Sequence, residues 1–155
     1  MRVEGGRFEL RYATVGGDVE IDGASTFAIG PSATIVGNLK IHNLEANAER
    51  NQVCGSTIQG NLEFHNNESS GRIGSTDPTS CLGNVVAANL DVHNNSASTA
   101  VDGNSVAGDL LDHNNSAPTE IFNNIVTGTL ECKHNSSITG GLNFAKTKED
   151  QCALF

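Results

Sequence analysis

Apolar residues return along this chain in a fixed frame. In the block Gly37-Asn38-Leu39-Lys40-Ile41-His42-Asn43, apolar and polar positions alternate with period two, the mark of a strand buried on one face. Related blocks run from Gly60 to Asn67, Ala88 to Asn95, Gly108 to Asn115 and Gly128 to Asn135, and a weaker one from Gly17 to Ala24. Their anchors, Val19, Leu39, Leu62, Leu90, Leu110 and Leu130, are spaced 20, 23, 28, 20 and 20 residues apart. A repeat of this length that carries strand alternation predicts an all-β fold. The expected form is a single-stranded parallel β-helix (a β-solenoid) with about seven rungs of roughly 20 residues. Rungs in such a coil stack about 4.8 Å apart, giving a rod of about 30–35 Å, so function is to be sought down columns of equivalent residues.

Each rung divides into three short strands. In one of them Leu90 and Val92 face inward, Asn94-Asn95 turn the chain, Ala97, Thr99 and Val101 follow, Asp102-Gly103-Asn104 make a second corner, and Val106 closes the rung. The chain reads as one domain over residues 1–155. Residues 1–18 form a partial first rung with Phe8, Leu10 and Tyr12, residues 68–80 an inserted loop in the longest rung, and residues 140–155 a charged C-terminal cap. The loop is either a tolerated insertion or a shaper of a binding face.

The expected interior columns are Val19/Leu39/Leu62/Leu90/Leu110/Leu130 and Ile21/Ile41/Phe64/Val92/Asp112/Cys132. Asp112 breaks the second. It reads as a buried polar bridge, as a strand slipped to turn Leu111 inward, or as a functional group. Asn43/Asn66/Asn94/Asn114 with His134, and Asn67/Asn95/Asn115/Asn135, form columns in which stacked carboxamides can bond to one another and to turn backbone. Asn67, Asn94, Asn114 and Asn135 also match the N-glycosylation acceptor pattern, which a turn rich in asparagine and serine generates readily.

Composition narrows the function classes. A net charge of −9 argues against nucleic acid and anionic membranes, and no apolar run is long enough to span a bilayer. The opening Met1-Arg2-Val3-Glu4-Gly5-Gly6 does not read as a signal peptide. The four cysteines pair by spacing. Cys54–Cys81 and Cys132–Cys152 each fall at nearly the same angular position on adjacent rungs, which predicts two rung-to-rung disulfides in an oxidising, extracellular or cell-surface setting. Four free thiols or a metal site are the alternatives.

The outward face of the leucine strand carries Glu20, Lys40, Glu63, Asp91, Leu111 and Glu131 beside Asp22, His42, His65, His93, His113 and Lys133. This strip reads as a solvated face. Its pattern would also suit a divalent metal held by His42, His65, His93 and His113 with Glu63 and Asp91. Neighbouring imidazoles disfavour joint protonation, so the strip should respond to pH. No catalytic constellation and no cofactor motif is expected.

The Gly-Asn-Leu-x-Val-His-Asn-Asn blocks, Leu130-Glu131-Cys132-Lys133-His134-Asn135 and the ending Lys148-Glu149-Asp150-Gln151-Cys152 resemble a group of secreted bacterial repeat proteins over residues 37–152. That resemblance implies a secreted compartment and a C-terminal cysteine pair, and no activity. The stretch Ile29-Gly30-Pro31-Ser32-Ala33-Thr34-Ile35-Val36-Gly37 is similar, more weakly, to bactofilins, which are β-helical polymers. The N-terminal strand Phe8-Glu9-Leu10-Arg11-Tyr12 shows no polar cap, so head-to-tail stacking into a filament is expected. The leading function is therefore a non-enzymatic extracellular structural coil that partners itself. The alternative is a carbohydrate-binding or polysaccharide-active β-helix, for which aromatic platforms are few. Ice binding would need a flat threonine column, and threonine is scattered along the sequence.

Overall fold

The computed structural model describes residues 1–46, 51–77, 79 and 81–155, and they form a β-solenoid of about seven turns. Every strand pairing is parallel, rung upon rung, and three faces line the coil. Face A stacks Arg2–Glu4, Val19–Asp22, Leu39–His42, Leu62–His65, Leu90–His93 and Leu110–His113. Face B stacks Arg7–Leu10, Thr26–Ile29, Asn51–Val53, Gly71–Gly74, Thr99–Asp102, Thr119–Phe122 and Ile138–Gly141. Face C stacks the two-residue strands Thr14–Val15, Thr34–Ile35, Thr57–Ile58, Val85–Val86 and Ser105–Val106. The longer strands Ile125–Lys133 and Phe144–Asp150 begin on face C and continue round the corner onto face A, joining these two faces into one sheet.

The spine is the predicted one. Leu39, Leu62, Leu90, Leu110 and Leu130 pair in register and are fully buried, with Val19 above them. Ile35, Ile58, Val86, Val106 and Val126 line the core from face C, and Ile29, Val53, Ile73, Val101 and Ile121 from face B. A coil this narrow lets side-chain sizes trade across the core. Phe64 is the largest residue of its column, and opposite it stands Gly71, where a Cβ would lie 2.4 Å from the phenyl ring. The neighbouring rungs carry Thr99 and Asn51 at that position.

Two corners repeat one device. At the corner from face A to face B, Asn43, Asn66, Asn94, Asn114 and His134 take positive φ between 55° and 57°. This left-handed turn directs the next side chain inward. At the corner from face B to face C, Tyr12, Ser32, Gly55, Gly103, Asn123 and Leu142 do the same. Tyr12 is thus a corner residue, 75% exposed, and the first-rung strand ends at Leu10. Residues 1–18 hold three strands, one on each face.

The insertion lies later than the sequence implies. Gly71–Gly74 is a regular strand, with Ile73 buried between Val53 and Val101. The extra residues fall in 75–84, where the next rung turns with Gly103 and Asn104 alone. Pro78 and Ser80 of the expected loop lie outside the described residues. Within the C-terminal segment, Phe144–Asp150 is a paired strand. That strand sets Lys148 in the column of Leu130, placing charge where another rung would need an apolar side chain, while Asp150, in register with Cys132, pairs with Lys133 at 3.3 Å. Beyond it Cys152 is buried, and Phe155 packs onto Gly140.

Candidate functional site

The inward residue after each left-handed corner carries the polar chemistry of the interior. On one corner Asn67, Asn95, Asn115 and Asn135 form the predicted column. The Oδ1 of Asn95, Asn115 and Asn135 accepts both the backbone N–H and the Nδ2 of the rung before, as Asn95 does from Asn67 at 3.1 and 3.0 Å, while Asn67 Oδ1 accepts from Leu44 N–H. The Nδ2 of Asn95 and Asn115 then donates onward and to a strand carbonyl, as Asn95 does to Asn115 Oδ1 and to Phe64 O. Gln151 ends the column by accepting from Asn135 N–H at 2.9 Å and donating back to Asn135 O.

The second corner holds a like ladder that the sequence reading did not identify: Asn84, Asn104, Asn124 and Asn143, all buried. The signal that could have found it is a corner residue followed by asparagine at Gly103-Asn104, Asn123-Asn124 and Leu142-Asn143. A third, more exposed ladder at the remaining corner runs the other way. There Asp18, Asn38, Asn61, Asn89 and Asp109 each accept from the backbone N–H of the following rung.

Asp112 faces the core in register with Val92 and Cys132, and Leu111 stays outward, so the strand has not slipped. Asn115 Nδ2 donates to Asp112 Oδ1 at 2.8 Å, while Oδ2 is buried without a partner. Burial, and secondarily the charge of Asp91, pushes this carboxyl up to about 8. It is therefore held protonated at neutral pH.

Both predicted disulfides are formed. Cys54 and Cys81 stand 5.6 Å apart at Cα, and Cys132 and Cys152 5.2 Å. Two such bonds suit an oxidising, extracellular-type environment. Among the described residues, no helix is long and apolar enough to cross a membrane.

The face-A strip differs from expectation in two respects. It is not fully solvated: His42 and His65 are buried, because the rings of His42, His65 and His93 stack nearly parallel, with centroids 5.1 and 4.7 Å apart, and cover one another. Nor does it form a metal centre. Among the described residues, no group of three or more His, Cys, Asp and Glu comes together to hold an ion, since stacked rings keep their nitrogens side by side.

Instead the nitrogens pair locally. Asn43 Nδ2 donates to His42 Nδ1 at 2.9 Å, which assigns the proton to Nε2, 3.1 Å from Glu20 Oε1. His93 Nδ1 lies 2.9 Å from Asp91. His113 reaches only to 3.7 Å from Glu131, which pairs with Lys133 instead. Glu63 is in register with Lys40 and Asp91. His65 Nδ1 is buried without a partner, and the imidazole is held down to about 4, by burial first and then by the charges of His93, Lys40 and His42.

Of the four acceptor-pattern asparagines, Asn67 and Asn135 are locked in the buried ladder, and Asn94 and Asn114 are exposed at corners. On face B, a depression of about 330 Å³ is lined by Gly71, Thr99, Ala100, Gln52, Arg72 and Glu120 among others. No protein-family model, curated protein or solved structure matches this chain. The fold and these columns define it as a disulfide-pinned β-solenoid.

Proposed function

We propose that this chain is a non-enzymatic structural coil of the cell exterior that associates with its own kind through its first rung. The observation that carries the reading is where its polar chemistry is spent. The interior asparagines and all four cysteines bind rung to rung, which makes a stiff rod. The two ends are unlike. The last rung has Cys152 and Phe155 packed against the rung before and sets Lys148 in the leucine column, whereas Val3, Phe8, Leu10 and Val15 in the first rung are only half-buried. Arg2–Glu4 and Arg7–Leu10 each pair on one side only.

In this reading association runs through the first rung, and pairing of two first rungs is its simplest form. Light scattering with negative-stain microscopy on concentrated protein should give paired rods of about double length. Monomers at every concentration would sink self-association, and long filaments would overturn its confinement to the first rung.

Polysaccharide binding is a second reading, and the face-B depression favours it. Arg72, Gln52 and Glu120 offer donors and acceptors to sugar hydroxyls beside Ala100. Neutral glycans on an array should be retained by the native chain and lost with Arg72→Ala. Equal retention by both, or none by either, removes this reading.

A further inference from the structure

Charge is distributed unevenly over the rod. Of the twelve outward positions in the two face-A columns, only Leu111 is not ionisable. Face C is the opposite. Over six rungs its outward positions are Thr14, Thr34, Thr57, Val85, Ser105 and Ile125 in one column, and Gly16, Val36, Gln59, Ala87, Ala107 and Thr127 in the next. No charged side chain stands among them. Threonines that look scattered in the sequence are gathered here: Thr14, Thr34 and Thr57 are consecutive neighbours.

The face is also regular. Backbone bonds from Val36, Gln59, Ala87 and Ala107 to the rung before measure 2.9–3.0 Å, and those from Thr34, Thr57, Val85, Ser105 and Ile125 measure 2.8–2.9 Å. Val36, Val85 and Ile125 are 43%, 52% and 59% exposed. Exposed apolar area on a rigid, charge-free sheet marks a contact surface.

Size limits what can cover it. Three residues wide and six rungs tall, the face measures on the order of 300 Å² at strand dimensions. A stable protein interface buries about 800 Å² on each partner. The occupant must therefore gain from repetition and not from depth, and must be uncharged. Rows of β-branched side chains have restricted χ1, so their methyl and hydroxyl groups are held in place before contact, and each rung adds to binding with little ordering cost. The one aromatic ring in these columns, Phe144 on the seventh rung beside Ile125, stands at the end of the face, so a crystalline polysaccharide finds no row of rings on which to stack. We propose that face C binds the surface of ice, an uncharged solid of repeating hydrogen-bond donors and acceptors, through these small hydroxyl and methyl groups.

The test is partition of the purified full chain into slowly grown ice, with thermal hysteresis measured alongside. The native protein should be enriched in the ice several-fold over a solution control. Ala87→Lys, at the centre of face C, should fall to the control level, while Glu63→Lys on face A should match the native chain. Circular dichroism and the unfolding midpoint establish that both variants are folded. Should Ala87→Lys be misfolded, the smaller change Thr57→Ser replaces it, and a partial loss of partition is expected. Exclusion of the native protein from ice overturns the proposal, and so does full partition of folded Ala87→Lys. Retention on crystalline cellulose but not ice, or a face-C dimer that Ala87→Lys splits, would assign the surface to another occupant and overturn it equally.

Discussion

Replacing Asp112 with valine is expected to stabilise the protein at pH 7 by on the order of 4 kcal/mol, raising the unfolding midpoint by roughly 10 °C. The native state keeps a proton on Asp112 up to about pH 8, whereas an unfolded aspartate sheds it near 3.8. Between these values the folded chain binds the extra proton, so stability declines as pH rises through the window. Valine is the residue that the rung before uses at this position, and it fits a similar volume. The change also removes the unpartnered Oδ2. Asn115 Nδ2 loses one acceptor but retains Asn135 Oδ1 at 3.1 Å and Val92 O at 3.3 Å.

His65 works with the opposite sign. Its pKa is depressed from 6.5 to about 4, so its contribution is present above 6.5 and is lost as pH falls toward 4, on the order of 2 kcal/mol after solvent screening. The two trends offset between pH 4 and 6.5, and Asp112 acts alone from 6.5 to 8. Denaturant titrations across this range should therefore show a nearly level native profile that falls above pH 6.5. Asp112→Val should be level above 6.5 and weakened in acid, and His65→Phe should decline steadily from pH 4 to 8. A native profile that climbs from pH 6.5 to 8 would refute the assignment to Asp112.

The parts of this structure that were legible in the sequence are those set by period two and the 20-residue offset. The leucine spine, the Asn67/Asn95/Asn115/Asn135 ladder and both disulfides follow from alignment of repeats alone. The second ladder keeps the common offset only over Asn84, Asn104 and Asn124, each 20 residues apart; the insertion sets its preceding partner, Ser56, 28 residues before Asn84, and Asn143 follows Asn124 by 19. The same insertion was placed too early. Ser69-Ser70-Gly71-Arg72 has the composition of a loop, and only Ile73 betrays the strand; Gly71 is there to make room for Phe64.

Alternation assigned the histidines to the correct face but not their burial, which arises from rings of different rungs covering one another. The outward composition of face C was missed for a related reason. Two-residue strands are too short to show a period, and their outward residues become neighbours only once the coil is wound.

Asn104→Ala is the substitution expected to cost most among the ladder positions, about 3 kcal/mol. Asn104 Oδ1 accepts from Asn84 N–H at 3.1 Å and from Asn84 Nδ2 at 3.0 Å, and its own Nδ2 donates to Ile73 O at 2.9 Å and Asn124 Oδ1 at 3.0 Å. Truncation strands Asn84 N–H and Ile73 O in an interior that water does not reach, and a buried group left unpaired costs far more than the net gain of a typical hydrogen bond. Asn89→Ala deletes a ladder residue too, but an exposed one. Its Oδ1 accepts a single bond, from Asp109 N–H at 2.9 Å, and that donor can turn to water, so the cost should be about 0.5 kcal/mol.

Asn104→Asp sharpens the comparison. It keeps the acceptor for Asn84 but sets a carboxylate oxygen against Ile73 O and Asn124 Oδ1, so it should be at least as damaging as alanine at pH 7 and recover in acid as the carboxyl gains a proton. Equal costs for Asn104→Ala and Asn89→Ala in urea denaturation would mean that water enters the corner. The buried ladder would then hold the rungs together no better than its exposed counterpart.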